Sequence, residues 1–409
     1  MTRACRLCGR ELTETFVDLG PSPLCETYAH PDHLSTPDPL YPLHAWICSG
    51  CLLVQLEEVV SPDAIFSEYA YFSSYSDSWV EHARRYCEST PALVGLQPGS
   101  HIVEIASNDG YLLQHFIGRG YRVLGVEPAA NVAAVARQKG VETECLFFGT
   151  ETAARIVESH GQADLLIGNN VLAHVADLHD FVGGLKRLLA SSGTLTMEFP
   201  HLVALVEGGQ FDTIYHEHFS YFSLYTAEQV FAAHGLTVVD VDELPSHGGS
   251  LRVFVRHADT APIASERLIA VRTREQRGGY DTMAAYRHFG AQAQRARDTL
   301  LTFLTDARTQ GLHVAGYGAP GKGNTLLNYC GIGPELLSYT VDRNPYKQGL
   351  FTPGTRVPIL HPDRIAETRP DVILILPWNL AREIAAQLSY TRAWGARLVV
   401  PIPTVRDVS

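Results

Sequence analysis

No run of apolar residues in this chain approaches the roughly 20 residues that a membrane-spanning helix requires. The first residues, Met-Thr-Arg-Ala-Cys, also lack the apolar core of a secretory signal, so we expect a cytoplasmic protein without a membrane partner. Basic residues are scarce, with 32 Lys and Arg against 44 Asp and Glu, and the formal charge of -12 disfavours nonspecific binding to nucleic acid. The length of 409 residues and the 45% hydrophobic content instead predict a globular protein of two or three domains.

A disulfide framework is not expected, because the chain is long, carries no export signal and spaces four of its eight cysteines for a metal. These four are Cys5-x-x-Cys8 and Cys48-x-x-Cys51, and each pair can present two thiolates to one ion. Four sulfurs leave no open coordination position, so we predict a structural Zn²⁺ site that helps fold the segment. The alternatives are a redox pair or an iron site. The scarcity of Lys and Arg weighs against a zinc ribbon that binds nucleic acid.

The sequence also lacks Gly-x-Gly-x-x-Gly where an alternating strand and helix pattern begins, at residue 101. The stretch Glu104-Ile-Ala-Ser-Asn-Asp-Gly110 is typical of a tight turn between a strand and a helix, and its acidic groups would repel a pyrophosphate. The next strand ends at Glu127, where a carboxylate can bind two ribose hydroxyls. These features favour S-adenosylmethionine, which has no phosphate, over a dinucleotide.

Further contacts to this cofactor are expected at strand ends and in an aromatic stretch that follows the cysteine module. Residues 146–149 are predicted to flank the adenine, and residues 69–76 suit either a lid or packing between domains. His174 follows another strand end, where it contacts the site or simply caps a helix. The predicted cofactor contacts are Tyr71, Tyr75, Glu104, Ser107, Asn108, Asp109, Glu127, Phe148, Asn169 and Asn170.

The stretch Tyr215-His-Glu-His-Phe-Ser-Tyr221 gathers two imidazoles, a carboxylate and two phenols, which is a composition suited to proton transfer. The alternative is a polar turn whose histidines cap helices or bond to backbone. A catalytic metal on His216 and His218 is a minor alternative, because no third ligand is evident.

A second glycine-rich turn, residues 316–325, begins another alternating unit and carries Lys322 and Asn324. It is not a P-loop, since Gly323 follows the lysine, but backbone N–H groups and one ammonium can hold a pyrophosphate.

Taken together, these motifs resemble the S-adenosylmethionine-dependent C-methyltransferases that act on nucleotide-activated ketosugars in deoxysugar biosynthesis. The resemblance covers nearly the whole chain and includes the cysteine module, the turn at Glu104, residues 170–175, residues 215–221, His247-Gly-Gly-Ser-Leu-Arg252 and residues 316–323. It implies an α/β protein of three parts, with the zinc remote from the chemistry. We expect a zinc-binding module and aromatic lid in residues 1–75, a Rossmann-like class I methyltransferase domain in residues 76–262 and a second Rossmann-like domain in residues 263–409.

The resemblance also implies a dTDP-linked 4-keto-6-deoxyhexose as substrate and methylation at a carbon beside its ketone. On this hypothesis His218 removes the proton, and Glu217 orients or tunes His218. Tyr215 and His174 donate hydrogen bonds to the enolate oxygen. The proposal requires a turn between Tyr215 and His218, since neighbours in a strand face opposite ways. The predicted substrate contacts are Tyr221, His247, Arg252, Lys322 and Asn324.

Three other functions stay open at this stage. They are methyl transfer to oxygen or nitrogen of a nucleotide sugar, nicotinamide-dependent oxidation of a sugar, and a zinc-ribbon binding protein without catalysis. We expect a monomer or a weak homo-oligomer.

Overall fold

The computed structural model describes residues 3–60 and 72–409, so the predicted cofactor contact Tyr71 lies outside the described residues. Three β-sheets organise this part of the chain. The strands are β1 (Glu14–Ser22), β2 (Tyr41–Ile47), β3 (Val54–Leu56), β4 (His101–Ile105), β5 (Arg122–Val126), β6 (Thr143–Glu144), β7 (Ala163–Asn169), β8 (Leu189–Pro200), β9 (Ser220–Tyr221), β10 (Leu236–Leu244), β11 (Ser250–His257), β12 (Val314–Tyr317), β13 (Thr340–Val341), β14 (Ile359–Leu360), β15 (Val372–Ile375), β16 (Arg397–Val400) and β17 (Arg406–Asp407).

Helices cover the sheets and connect their strands. They are α1 (Asp77–Val94), α2 (Ala130–Gln138), α3 (Thr150–His160), α4 (Leu178–Leu188), α5 (Leu202–Glu207), α6 (Leu224–Ala232), α7 (Glu266–Arg277), α8 (Phe289–Thr309), α9 (Gly321–Cys330), α10 (Arg364–Thr368) and α11 (Ala381–Gln387). Within the described ranges no helix is long and apolar enough to cross a membrane.

The central sheet has the order β10-β11-β8-β7-β4-β5-β6, and its strands from β8 to β6 run parallel. All five residues of β4 are buried, as expected for a strand covered on both faces. The chain proceeds from β4 to β5 and β6, then returns to β7 on the other side of β4. This reversal opens a crevice beyond the carboxyl ends of β4 and β7, which is where open α/β sheets bind ligands.

The C-terminal sheet has the order β14-β13-β12-β15-β16-β17 and is parallel except for β17. Helix α9 starts at Gly321, within the glycine-rich stretch 316–325 that follows β12, so strand, turn and helix succeed one another as the sequence predicted. The same change of direction occurs here, between β12 and β15, so the carboxyl ends of these strands form a second crevice.

The small sheet joins the cysteine module to the rest of the protein. Its order is β1-β2-β3-β9, and β9 comes from the middle of the chain, with Val54 opposite Tyr221. On the far side, the ring of Phe16 in β1 stacks on Phe289 of α8 at a centroid distance of 4.4 Å. One buried apolar cluster therefore runs through β1, α5, α8 and α9. The domain boundaries expected from the sequence stay predictions.

The four predicted zinc ligands converge in this module, with all four Sγ atoms within 4.8 Å of one another. The Sγ atoms of Cys5 and Cys51 are 3.5 Å apart, as are those of Cys8 and Cys48. A zinc–sulfur bond of about 2.3 Å in a tetrahedron places sulfurs about 3.8 Å apart, so the set fits this ion. Gln55 donates to Cys5 Sγ at 3.2 Å, and its Oε1 accepts from the backbone of Arg6.

The cysteine cluster is connected to the stretch Tyr215–Tyr221 by two kinds of contact. Gln55 lies opposite Ser220 in the pairing of β3 with β9. The Arg6 guanidinium donates to the backbone oxygen of Phe219 at 2.8 Å. A metal held by the cysteines therefore fixes the strand that ends this stretch.

Replacing Cys8 with Ser, or removing the metal with a chelator, should lower stability and turnover together. We expect a loss on the order of 5 kcal/mol, because the binding free energy of structural zinc is folding free energy. Thermal unfolding and the methyl transfer that the sequence resemblance implies, each measured with and without added Zn²⁺, check this result. Cys145→Ser is the matched control, since Cys145 is also exposed but lies outside the cluster. Unchanged unfolding of Cys8→Ser would show that the metal does not hold this sheet.

Candidate active site

A cavity of about 730 Å³ lies outside the carboxyl ends of β4 and β7 and extends to the start of α9. Its walls include residues of the cysteine module, the central sheet and the C-terminal unit. The predicted site residues that line it are Asn108, Glu127, Phe148, Asn169, Asn170, His174, Tyr215, Glu217, His218, His247 and Lys322. The structure thus brings together residues that are more than 200 positions apart in the sequence.

The turn after β4 adopts the backbone conformation of a glycine-rich loop with few glycines. Ala106, Asn108 and Gly110 have φ values of 55°, 49° and 75°. A left-handed conformation costs roughly 1–2 kcal/mol for a residue with a Cβ, so Ala106 holds this path at the expense of stability. The neighbouring Gly125 is required for packing, because a Cβ there would lie 2.4 Å from Ser107 Oγ.

Glu127 binds the turn from the end of β5. Its Oε2 accepts from the Asn108 N–H at 3.0 Å, and its Oε1 accepts from the Ala129 N–H at 2.9 Å. Glu104 is fully buried beneath the turn and does not line the cavity. Burial and the nearby charges of Glu127 and Asp109 raise the pKa of Glu104 well above its usual value.

The cavity wall near this turn fits an adenosyl group. The buried Oδ1 atoms of Asn169 and Asn170 accept no hydrogen bond from the described residues, which leaves two acceptors for a ligand. Phe148 and Phe181 provide apolar aromatic surface on the same wall, with ring centroids 5.6 Å apart. This arrangement supplies polar partners for the ribose and amino groups and apolar surface for the base.

The short helix Ser73–Tyr75 lies over the turn, in the region predicted as a lid. The Ser73 N–H donates to Asn108 Oδ1 at 2.9 Å. Tyr75 is 61% exposed and does not line the cavity. Asp109 does not line it either, and pairs with Lys139 at 2.9 Å.

The stretch from Tyr215 contains the turn that the catalytic hypothesis required. The His218 N–H donates to the Tyr215 carbonyl at 2.9 Å, and the two rings have a centroid distance of 4.0 Å. His218 Nδ1 lies 3.0 Å from the carbonyl oxygen of Thr213. A carbonyl only accepts, so Nδ1 carries the proton and Nε2 of the neutral ring carries the lone pair. Burial and the neighbouring His174 lower the pKa of His218 well below its usual value.

Glu217 lies in the same turn but faces the N-terminal segment. Its Oε1 is 3.8 Å from Cys25 Sγ. Burial and the charge of Glu26 raise the pKa of Glu217 to about 8. Its contact with the imidazoles is through the main chain, because His174 bonds to the Glu217 backbone. His216 packs towards β2, where its Nε2 is 3.3 Å from the Pro42 carbonyl.

Tyr221 and Asn324 lie outside the cavity lining, and each holds neighbouring elements together. Tyr221 is buried on β9, with its ring centroid 6.0 Å from that of His218. Asn324 Nδ2 donates to the backbone oxygen of Cys25 at 2.6 Å, which fastens the N-terminal segment to α9.

His247 and Arg252 occupy different environments although they are close in sequence. His247 lines the cavity in a strained conformation, with φ of 55°, and Asn170 Nδ2 donates to its Nε2 at 3.1 Å. Arg252 instead lies behind the cavity, where its Nη2 donates to Glu198 Oε2 at 2.6 Å. Glu198 is fully buried and also accepts from Ser246 Oγ at 3.0 Å.

Residues of the C-terminal unit bring positive charge to the far end of the cavity. Lys322 lines it, and its Nζ donates to Asn379 Oδ1 at 2.7 Å. Burial lowers the pKa of Lys322 to about 8, and the charge of Asp212 opposes this effect. Lys347 also lines the cavity, where its Nζ lies 3.2 Å from Glu26 Oε2.

Sequence reasoning missed Glu26, Trp79 and Lys347 as cavity residues. Lys347 follows β13 in a stretch already recognisable as a strand end, so a signal for it existed. Glu26 and Trp79 reach the cavity only through tertiary contacts, and no local pattern marks them.

Three family models and a full-length relative match this chain. Residues 79–241 match "Methyltransferase domain", residues 245–403 match "C-methyltransferase C-terminal domain", and residues 5–66 match "Putative zinc binding domain". The C-methyltransferase NovU of Streptomyces niveus is 38% identical over 409 residues, which is 99% of this chain and 96% of that protein. The chain belongs to the C-methyltransferase family. This membership confirms the predicted S-adenosylmethionine-dependent C-methyltransferase with an N-terminal zinc module.

Other proteins resemble only part of this C-methyltransferase, as the sequence identity and coverage of two of them show. The ubiquinone biosynthesis O-methyltransferase of Rhodopseudomonas palustris (strain BisA53) is 23% identical over 115 residues, 28% of this chain and 46% of that protein. The structure of magnesium protoporphyrin IX methyltransferase from Synechocystis PCC 6803, with bound SAM, is 16% identical. It covers 44% of this chain and 82% of its own, with a TM-score of 0.32.

The buried pair of this C-methyltransferase, Arg252 and Glu198, leads to a prediction about stability. Arg252→Met should cost about 3 kcal/mol, because it leaves the carboxylate buried without its guanidinium. Arg256→Met is the control on the same strand, since within residues 3–60 and 72–409 the side chain of Arg256 donates to the neutral Thr194 Oγ1 and not to a carboxylate. Denaturant unfolding measures both losses. A raised KM with unchanged stability would instead favour the substrate contact predicted from the sequence.

The pair of Arg252 and Glu198 should also make the stability of the fold depend on pH. Burial alone would raise the pKa of Glu198, but the hydrogen bond from His82 and the charge of Arg252 lower it to about 2. Because the pKa of Glu198 is lower in the folded protein than its ordinary value of 4.5, the ionised carboxylate stabilises the fold at pH values above 4.5. This stabilisation disappears as the pH falls towards 2. In Arg252→Met this acid-dependent loss should be smaller.

Proposed function

We propose that this C-methyltransferase methylates a carbon beside the ketone of a dTDP-linked 4-keto-6-deoxyhexose. The observation that carries the proposal is the lining of one cavity. It includes the turn after β4 that is predicted to hold S-adenosylmethionine, the imidazole of His218, and the ammonium groups of Lys322 and Lys347. A substrate that is methylated at carbon needs a methyl donor and a base that removes a proton from that carbon. Its nucleotide diphosphate needs positive charge. The thymidine base and the 4-keto position come from the resemblance of the whole sequence to ketosugar C-methyltransferases.

His218 acts as the base in this proposal. Its Nδ1–H is fixed on the Thr213 carbonyl, so Nε2 takes the proton from the carbon beside the ketone. The electrons of that C–H bond form the enolate, whose carbon attacks the methyl group. S-adenosylmethionine supplies a methyl on a sulfonium, and the neutral thioether leaves with the electrons of the broken bond. The low pKa of the buried imidazole keeps it neutral before the reaction.

Tyr215 and His174 stabilise the enolate oxygen. Both line the cavity, and their rings lie 4.0 and 4.8 Å from the ring of His218. Burial lowers the pKa of His174 to about 4, so this imidazole is neutral at pH 7. Its one N–H bonds to the Glu217 backbone, so it donates to the enolate oxygen by exchanging that hydrogen bond. Donors aimed at a developing oxyanion contribute most where water is excluded, and both of these side chains are half-buried in the cavity wall.

Lys322 and Lys347 bind the diphosphate. Both ammonium groups line the cavity beside Gly321, at the first turn of α9, where backbone N–H groups favour an anion. With its pKa at about 8, Lys322 is charged at neutral pH. Arg252 and Asn324 make structural contacts outside the cavity, and their direct roles in substrate binding stay predictions.

His218→Asn should reduce methyl transfer by about 10²–10⁴ with binding of S-adenosylmethionine intact. The amide Nδ2 of Asn can replace Nδ1 in the bond to Thr213, so the change removes the base nitrogen and retains the anchor. His216→Asn is the matched control, because His216 lies two residues away in the same turn and bonds to Pro42. Turnover and calorimetric cofactor binding measure the effect. Near-normal turnover of His218→Asn would remove this residue as the base.

The acceptor atom is tested by mass spectrometry of products from a panel of dTDP-4-ketohexoses, each deuterated at the carbons beside the ketone. Carbon methylation should add one methyl group and remove one ring deuterium. Methyl gain with every deuterium retained, under conditions that control for exchange, would place the methyl on oxygen or nitrogen. Cofactor binding without reaction of any panel member would contradict the substrate class and leave the methyltransferase assignment intact.

A further inference from the structure

Trp378 lies outside the cavity lining, yet it contacts two elements that carry the cavity residues His247 and Lys322, and a third that contains Asp212. It starts the short helix Trp378–Leu380 after β15, in the C-terminal unit. The side chain is half-buried. Because the indole does not line the cavity, we expect it to affect the reaction through its neighbours.

The first contact of Trp378 leads to the base. Its indole Nε1–H donates to Asp212 Oδ2 at 2.7 Å. Asp212 is fully buried in the short helix Phe211–Thr213, and the carbonyl of Thr213 accepts from His218 Nδ1 at 3.0 Å. The hydrogen bond therefore fixes the turn that sets the orientation and the tautomer of His218.

The second contact leads to His247. A Cβ on Gly248 would lie 2.5 Å from the indole ring, so the ring packs directly on the backbone that follows His247. Gly248 has a φ of 92° and its carbonyl accepts from Gln210 Nε2 at 2.8 Å. This contact joins the strained turn of His247 to the start of the turn that contains Asp212.

The third contact leads to Lys322. Its Nζ lies 4.7 Å from the centroid of the indole ring, within the range of a cation–π interaction. Asn379, the next residue after Trp378, accepts from the same Nζ at 2.7 Å. One short helix thus limits the positions that the ammonium group can adopt.

We propose that Trp378 is a positioning residue through which the C-terminal unit holds His218, His247 and Lys322 in register. The inference rests on the proposed function, because it assigns the base to His218. Its physical basis is that each contact is short and involves buried or half-buried groups, so loss of one leaves a gap or an unpaired polar atom. A misplacement of about 1 Å far from the chemistry is enough to cost about 10²-fold in rate.

Trp378→Phe tests this role, since it removes the indole N–H and keeps an aromatic ring beside Gly248 and Lys322. We expect kcat to fall about tenfold or more, KM for the sugar nucleotide to change much less, and cofactor affinity to stay the same. Exchange of the ring deuterium beside the ketone should slow in proportion to kcat. Trp394→Phe is the matched control, because this half-buried indole of the same unit also donates one bond, to Pro370.

A double-mutant cycle tests whether the bond to Asp212 carries the effect. Asp212→Leu removes the acceptor, and combining it with Trp378→Phe should add little to either single change, because both break one hydrogen bond. Asp212→Asn keeps an oxygen acceptor for the indole and should recover most of the exchange rate. Thermal unfolding and cofactor binding identify any variant that fails to fold. If Asp212→Leu fails to fold, Asp212→Asn decides, and deuterium exchange of Asp212→Asn as slow as that of Trp378→Phe would overturn the proposal.

Normal kcat and exchange in Trp378→Phe would also overturn the inference, as would additive losses in the double variant. These results differ from a failure of the proposed function. If the proposed function were wrong, the wild-type protein itself would neither exchange the deuterium nor methylate any 4-ketohexose of the panel.

Discussion

The position of the His218 imidazole, which we propose as the base, depends on one hydrogen bond, from its Nδ1 to the carbonyl of Thr213. That bond is useful only if the turn carrying Thr213 and the strand following His218 are both fixed. The first is held by Trp378 of the C-terminal unit, and the second by β3 of the cysteine module. The central domain therefore supplies the histidine, while its neighbours at both ends of the chain determine where the histidine lies.

Burial determines the charge state of the same cavity. Imidazoles lose their proton when they are desolvated, and carboxyls retain theirs, so the wall holds neutral His174 and His218 and a Glu217 whose pKa is raised. The ammonium of Lys322 keeps its charge at neutral pH, with Asp212 nearby. The cavity therefore has neutral imidazoles in one part of its wall and positive charge in another.

Prediction from the sequence succeeded where a short segment contains all the information. The spacing of Cys5, Cys8, Cys48 and Cys51 placed four sulfurs in one cluster, and the alternating pattern from residue 101 predicted the parallel sheet. It could not anticipate that Arg252 pairs with Glu198 behind the cavity, since a buried salt bridge and a substrate contact use the same residue. Nor did any pattern show that Glu26 and Lys347 meet across a gap of more than 300 residues.

The sequence alone determined the chemistry that this protein has available: a set of four thiolates, a turn suited to an adenosyl cofactor, a stretch rich in imidazole and phenol, and a second unit with a basic turn. Local periodicity and ligand spacing encode such features, because they depend on neighbours along the chain. The tertiary structure alone decided which nitrogen of His218 is free, that Glu217 faces Cys25, and that Trp378 supports the site without lining it. These outcomes depend on which distant backbone and side-chain groups approach each residue, and only packing of the whole chain sets that.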